Sequence, residues 1–163
     1  MIELESWVKG IIGIIDERTH YYTDKEKQIV KLRYLKKLIQ DVLPKVEDVV
    51  IRESIKKQID DIVISLPEKN EGTTKIKFRD YLIKLQNLKK VVKDKLDLME
   101  EGQYKALGIV LGLAFGAAVG PIIGVALDNF ALGTAIGIPL GMGVGSIIGN
   151  SKEAKAKQQN KLI

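Results

Sequence analysis

Residues 108–124 read Gly108-Ile-Val-Leu-Gly112-Leu-Ala-Phe-Gly116-Ala-Ala-Val-Gly120-Pro-Ile-Ile-Gly124, with a glycine at every fourth position. In a helix surrounded by water each would cost roughly 1 kcal/mol against alanine, so the repetition marks an environment that offsets the cost. The flanking composition identifies that environment. Ala106–Leu127 is a run of 22 residues without a charge, Asp128-Asn129 interrupts it, and Phe130–Gly149 adds another 20. At about 1.5 Å per residue each run spans about 30 Å, the hydrocarbon thickness of a bilayer. The reading is two membrane helices joined by a tight polar turn.

The second run carries the same ladder, at Gly133, Gly137, Gly141, Gly145 and Gly149, with Gly143 in addition. Apolar side chains in lipid gain nothing by meeting each other, so membrane helices associate where small residues let their backbones approach. Both ladders resemble the glycine-zipper family of membrane sequences, which implies tight helix packing in oligomers and, in some members, pore-lining helices. A four-residue step drifts about 40° around the helix. From that drift a single partner helix is not expected to meet every glycine, which favours assembly of several protomers into a homo-oligomer.

Charge divides the chain. Residues 1–104 hold 21 Lys+Arg and 19 Asp+Glu, whereas 106–149 hold only Asp128. Three segments follow: a cytosolic amphipathic helical bundle at 1–104, a transmembrane hairpin at 105–150 and a basic tail at 151–163. Lys89, Lys90, Lys93, Lys95 and Lys105 precede the first span, Lys152, Lys155, Lys157 and Lys161 follow the second, and the turn has no lysine. By the positive-inside rule both termini are expected to face the cytosol, with lipid around the hairpin. Met1-Ile-Glu-Leu-Glu-Ser-Trp7 bears acids where a secretory signal needs cations. The absence of cysteine excludes disulfides and thiolate metal sites and fits a reducing compartment.

Helical periodicity dominates the first segment. Leu4, Trp7, Val8, Ile11, Ile12 and Ile15 form one apolar stripe. Thr23-Asp-Lys-Glu26 is a capping-box pattern that starts a second helix with the stripe Ile29, Leu32, Leu35, Leu38, Ile39 and Val42. Pro44 is expected to open a third, with Ile51, Ile55, Ile59, Ile62, Val63 and Leu66 inward, and Pro67 to end it. After a polar loop at 67–75, where Thr73 or Thr74 is a candidate cap, the fourth is expected to run over 74–101 as a rod of about 42 Å straight into the membrane. The fold class is all-α.

No phosphate loop, dinucleotide fingerprint, zinc cluster or nucleophile signature occurs, so no catalytic residue, metal or cofactor is assigned and the chain is not read as an enzyme. His20, the sole histidine, reads as a loop residue. Arg33, Tyr34, Lys36 and Lys37 on the second helix and Arg52, Lys56 and Lys57 on the third are candidates for an anionic ligand. If those helices are neighbours, their cations would surround a nucleotide or short oligonucleotide, with Tyr34 or Tyr22 stacking on a base. The alternative for the same residues, and the more ordinary one, is a solvated helix surface balanced by nearby acids. A surplus of only two cations over 1–104 argues against bulk nucleic-acid binding.

Two functions fit this organisation. One is an oligomeric effector that permeabilises or depolarises the inner membrane when its cytosolic bundle is triggered. In its architecture, a small cytosolic bundle joined to a few membrane helices, the chain resembles membrane effectors of bacterial anti-phage defence of the Hailong type. That resemblance implies a nucleotide signal made by a partner nucleotidyltransferase. The other is a non-conducting anchored scaffold, adaptor or toxin-neutralising protein, whose ladders merely clamp the two spans together.

Overall fold

The computed structural model describes residues 2–69 and 77–163. The expected caps at Thr73 and Thr74 lie outside the described residues. Among those described there are seven α-helices and no strand: α1 (Ile2–Arg18), α2 (Asp24–Ile29), α3 (Leu32–Lys37), α4 (Val49–Ile64), α5 (Arg79–Leu96), α6 (Gln103–Ala126) and α7 (Phe130–Gln158). The chain divides into two units, Met1–Leu98 with Ile163, and Met99–Leu162.

The first unit is built as amphipathic sequences demand. Ile11 and Ile15 of α1, Leu35 of α3, Ile55, Ile59, Ile62 and Val63 of α4, and Tyr81, Leu85, Leu88 and Val92 of α5 are buried in one core. On α1, α4 and α5 these residues recur at three- and four-residue intervals, so one stripe of each of these helices faces the core. Thr23 closes the capping box at α2: its hydroxyl accepts from the Glu26 N–H at 3.3 Å, and the Glu26 carboxylate accepts from the Thr23 N–H at 2.7 Å.

Three helix expectations are corrected. The second helix is not continuous, because Val30 and Lys31 break it and Lys31 adopts a left-handed φ of 52°. The break turns Val30 into the core and leaves Ile29 46% exposed. The Tyr81 hydroxyl donates to the Val30 carbonyl at 2.7 Å, which satisfies an acceptor that the interrupted helix would otherwise leave buried without a partner. Further along, the backbone widens into a π-turn at Leu38–Val42 and a 3₁₀ turn at Leu43–Lys45. Pro44 has no N–H to give a carbonyl four residues back, so it sits in this transition and the next helix starts later, at Val49, capped by Asp48 through bonds of 2.9 and 3.0 Å from Val50 and Ile51.

The expected rod over 74–101 is also shorter. α5 ends at Leu96, where Asp97 takes a left-handed φ of 54°, and Gly102 with φ 86° precedes α6. Two positive-φ positions terminate one helix and set the start of the next, so α5 and α6 are separate elements.

Glu26 makes a testable contribution to this unit. The Lys69 ammonium donates to it at 2.8 and 3.1 Å, and this bond, followed by the Thr23 N–H, holds its carboxyl down at about 2 against an ordinary 4.5. A depressed carboxyl gives stability that is present above the unfolded value and is lost as pH falls from 4.5 towards 2. Acid titration followed by circular dichroism is expected to show a loss of stability in that window that is smaller in Glu26→Gln. An identical acid profile for the variant would refute the pairing.

In the second unit α6 and α7 are antiparallel neighbours joined by a turn at Leu127–Asn129. Asn129 caps α7 by accepting from the Leu132 N–H at 3.1 Å, and Asp128 supplies the left-handed residue with φ 50°. Both helices are long and apolar enough to cross a membrane. α7 continues without interruption from the apolar run into the basic tail, as far as Gln158.

Candidate functional site

The buried residues of α6 are Gly112, Gly116, Gly120 and Gly124, and those of α7 are Gly133, Gly137, Gly141, Gly145, Gly149 and Ala156. The large side chains lie outside: Val110, Leu111, Phe115, Ile122 and Val125 on α6, and Leu140, Val144 and Ile147 on α7, are all more than half exposed. This inverts the core of the first unit. Small residues are in and large apolar ones are out.

Along the seam the two backbones touch. A Cβ added at Gly112 would overlap the Gly141 carbonyl oxygen, one at Gly116 the Gly137 oxygen, one at Gly141 the Gly112 oxygen and one at Gly145 the Gly108 oxygen. At Gly137 it would stand 2.5 Å from the Gly120 Cα, and at Gly120 2.9 Å from the Gly133 oxygen. The remaining ladder positions are as crowded: Gly108 against Gly145, Gly133 against Gly124, Gly124 against Phe130 and Gly149 against Lys105. Since a carbonyl oxygen occupies the place of the missing Cβ, the glycine hydrogen pointing there has the geometry of a Cα–H···O contact. Gly143, outside both ladders, faces open space.

This arrangement corrects the expectation drawn from helical drift. All ten ladder glycines are in contact within one chain, so the ladders require no second protomer. A stripe of period four drifts around a straight helix, but two helices that wind about each other in the right-handed sense follow the drift and keep the stripe in the seam.

The open ends of the hairpin are tied by polar contacts. The Glu153 carboxylate of α7 accepts from the N–H groups of Gly102 and, at 3.2 Å, Tyr104, donors that the first turn of α6 cannot satisfy internally. Just beyond, the Met99 N–H donates to the Lys161 carbonyl at 2.9 Å. No periodicity pointed to Glu153, because its partners are backbone groups 49 and 51 residues away.

The candidate ligand residues do not form a common site. Tyr34 is in the core, with the Lys89 ammonium 5.1 Å from its ring centre, so the ring offers no free stacking face. Lys36 pairs with Asp16, the Arg52 guanidinium donates to the Val46 carbonyl at 3.1 Å, and Lys56 lies 3.5 Å from Glu53 and 5.5 Å from the centre of the Trp7 ring. Arg33 and Lys57 are exposed and Lys37 is half-buried. α4 packs chiefly on α5, and on α1, instead of pairing its basic face with α3. Tyr22, the other candidate stacker, is buried with its hydroxyl donating to the Pro67 carbonyl. Burial first, and then the Glu26 carboxylate, push that hydroxyl up to about 12, partly offset by Arg18.

No family model, curated protein or solved structure matches this chain.

Proposed function

We propose that the chain is a two-span protein of the bacterial inner membrane that holds a helical module at the cytosolic face, as an anchored scaffold, adaptor or neutralising protein. The inverted hairpin carries this reading. In water, burying glycine while exposing Phe115, Leu111 and Ile147 would forfeit the hydrophobic driving force. In lipid it forfeits nothing, and close backbone packing is what remains to hold helices together. The lysines at the open end and their absence from the turn support a cytosolic location for both termini. A seam closed within one chain supports a clamp that does not itself conduct.

Topology is directly testable because the chain has no native cysteine. In intact cells Leu127→Cys is expected to react with a membrane-impermeant maleimide from outside, and Ser54→Cys only after lysis. Labelling of both, or the reverse pattern, would overturn the orientation.

A second reading is the permeabilising effector, favoured by Pro121 and Pro139. Each lies inside a long apolar helix and removes one of its backbone bonds, which provides a point for bending if the hairpin opens. A voltage-sensitive dye separates the readings. Depolarisation on expression, lost in a Pro121→Ala/Pro139→Ala double variant, supports the effector, and a steady potential with verified insertion supports the anchor.

A further inference from the structure

One side of the glycine seam is an open apolar groove of about 610 Å³. Leu111, Phe115 and Val119 of α6 form one wall and Leu140, Val144 and Ile148 of α7 the other, with glycines as the floor. These wall residues recur every four positions, so they run beside the glycine ladders and drift with them. From Gly108 to Ile123 the groove is about 22 Å long at about 1.5 Å per residue.

The two ends of the groove differ in charge. Lys152 lies four residues beyond Ile148 and Lys155 seven, which places them about 40° and about 20° to either side of the Ile148 direction. Lys105 opens α6 at the same end, against α7: a Cβ on Gly149 would stand 2.8 Å from its Cα. All three lysines are exposed, and none forms an ion pair among the described residues. Of the carboxylates at this end, Glu153 is occupied by the Gly102 and Tyr104 N–H groups, and Glu100 and Glu101 precede α6, fewer than the lysines they accompany. At the opposite end the exposed charge is Asp128.

An apolar trough that runs into a cationic mouth fits an amphiphile with a long hydrocarbon tail and an anionic head. We propose that it holds an acyl chain of an anionic phospholipid from the cytosolic leaflet, with the phosphate against Lys152, Lys155 and Lys105. This rests on the membrane reading above. Any lipid tail fills the trough and restores dispersion contacts that glycine leaves unmade, so the trough alone does not choose among lipids. The lysines choose, because cations at the membrane surface attract anionic headgroups and leave neutral ones.

The test uses the full chain reconstituted in phosphatidylcholine vesicles that contain a trace of spin-labelled phosphatidylglycerol or spin-labelled phosphatidylcholine. The motionally restricted fraction is read by electron paramagnetic resonance. The parent is expected to restrict phosphatidylglycerol preferentially, on the order of fivefold for each lysine engaged at low salt, and less as salt rises. Lys152→Gln/Lys155→Gln is expected to bring the preference close to unity while phosphatidylcholine is still restricted. Val144→Trp fills the trough without touching the seam and is expected to reduce the restricted phosphatidylglycerol with the lysines intact.

Equal restriction of the two lipids by the parent would overturn the proposal, as would a preference that survives the double lysine change. An unchanged restricted fraction in Val144→Trp would show headgroup attraction without an acyl site and also overturn it. Alkaline extraction of the same vesicles distinguishes the failures. An inserted chain with no lipid preference refutes the lipid site alone, whereas a chain released by alkali refutes the membrane reading beneath it.

Discussion

Gly112→Leu is expected to abolish closure of the α6–α7 hairpin. A Cβ at this position would overlap the Gly141 carbonyl oxygen and stand 2.9 Å from both the Gly141 carbonyl carbon and the Gly145 Cα. All three are backbone atoms, so no side chain can rotate away, and the helices must separate along several neighbouring contacts. Because the seam has no interlocking side chains, separation leaves little to compensate. Spin labels on Gln103→Cys and Ala154→Cys, at the open end of the hairpin, should give a narrow distance distribution in the parent and a broad one with Gly112→Leu. Gly143→Ala is the matched control. Its added methyl meets nothing within 4 Å, so the distribution should stay narrow. A narrow distribution in Gly112→Leu would mean that something other than the seam holds the hairpin.

The second large effect is expected at Tyr81. The residue is 1% exposed, and its hydroxyl donates to the Val30 carbonyl where the chain breaks between α2 and α3. Tyr81→Ala should lower the stability of the first unit by about 3–5 kcal/mol, through the cavity left by the ring. Tyr81→Phe keeps the ring and removes only the donor, leaving the Val30 oxygen unpartnered, at a cost of about 1–3 kcal/mol. Trp7 provides the readout, because its indole N–H donates to Asp60 of α4 at 3.0 Å and so reports the docking of α1 on α4. Urea unfolding followed by its fluorescence should rank parent, Tyr81→Phe and Tyr81→Ala in that order. A Tyr81→Phe midpoint equal to that of the parent would remove the hydrogen bond from the account.

Much of the fold was legible because the deciding signals are local. Thr23 and Glu26 specify a helix start within four residues, and the stripes of α1, α4 and α5 are periodic in sequence. The break at Val30–Lys31 was not legible, because Ile29 and Val30 are equally apolar and what selects Val30 is Tyr81, 51 residues away. The end of α5 at Asp97 was missed for a related reason. A left-handed conformation at an acid carries little local signal, and the apolar pattern continues through Met99. The glycine ladders disclosed which faces pack, but not against what, since period alone does not say whether the partner helix is straight or winds with the stripe. Tyr34 marks the opposite limit: an aromatic among cations reads as a binding platform until the core claims its ring.

The seam has a further consequence for alignment. Its contacts repeat every four residues, so sliding α6 along α7 by one repeat, about 6 Å, would again set glycine against glycine. Like the teeth of a rack, the ladders fix spacing without fixing offset. The offset is decided at the ends, by a turn too short to allow slippage and by Glu153 fastened to the first N–H groups of α6. Lengthening that turn would leave the grip between the helices intact while removing the stop that tells them where to grip.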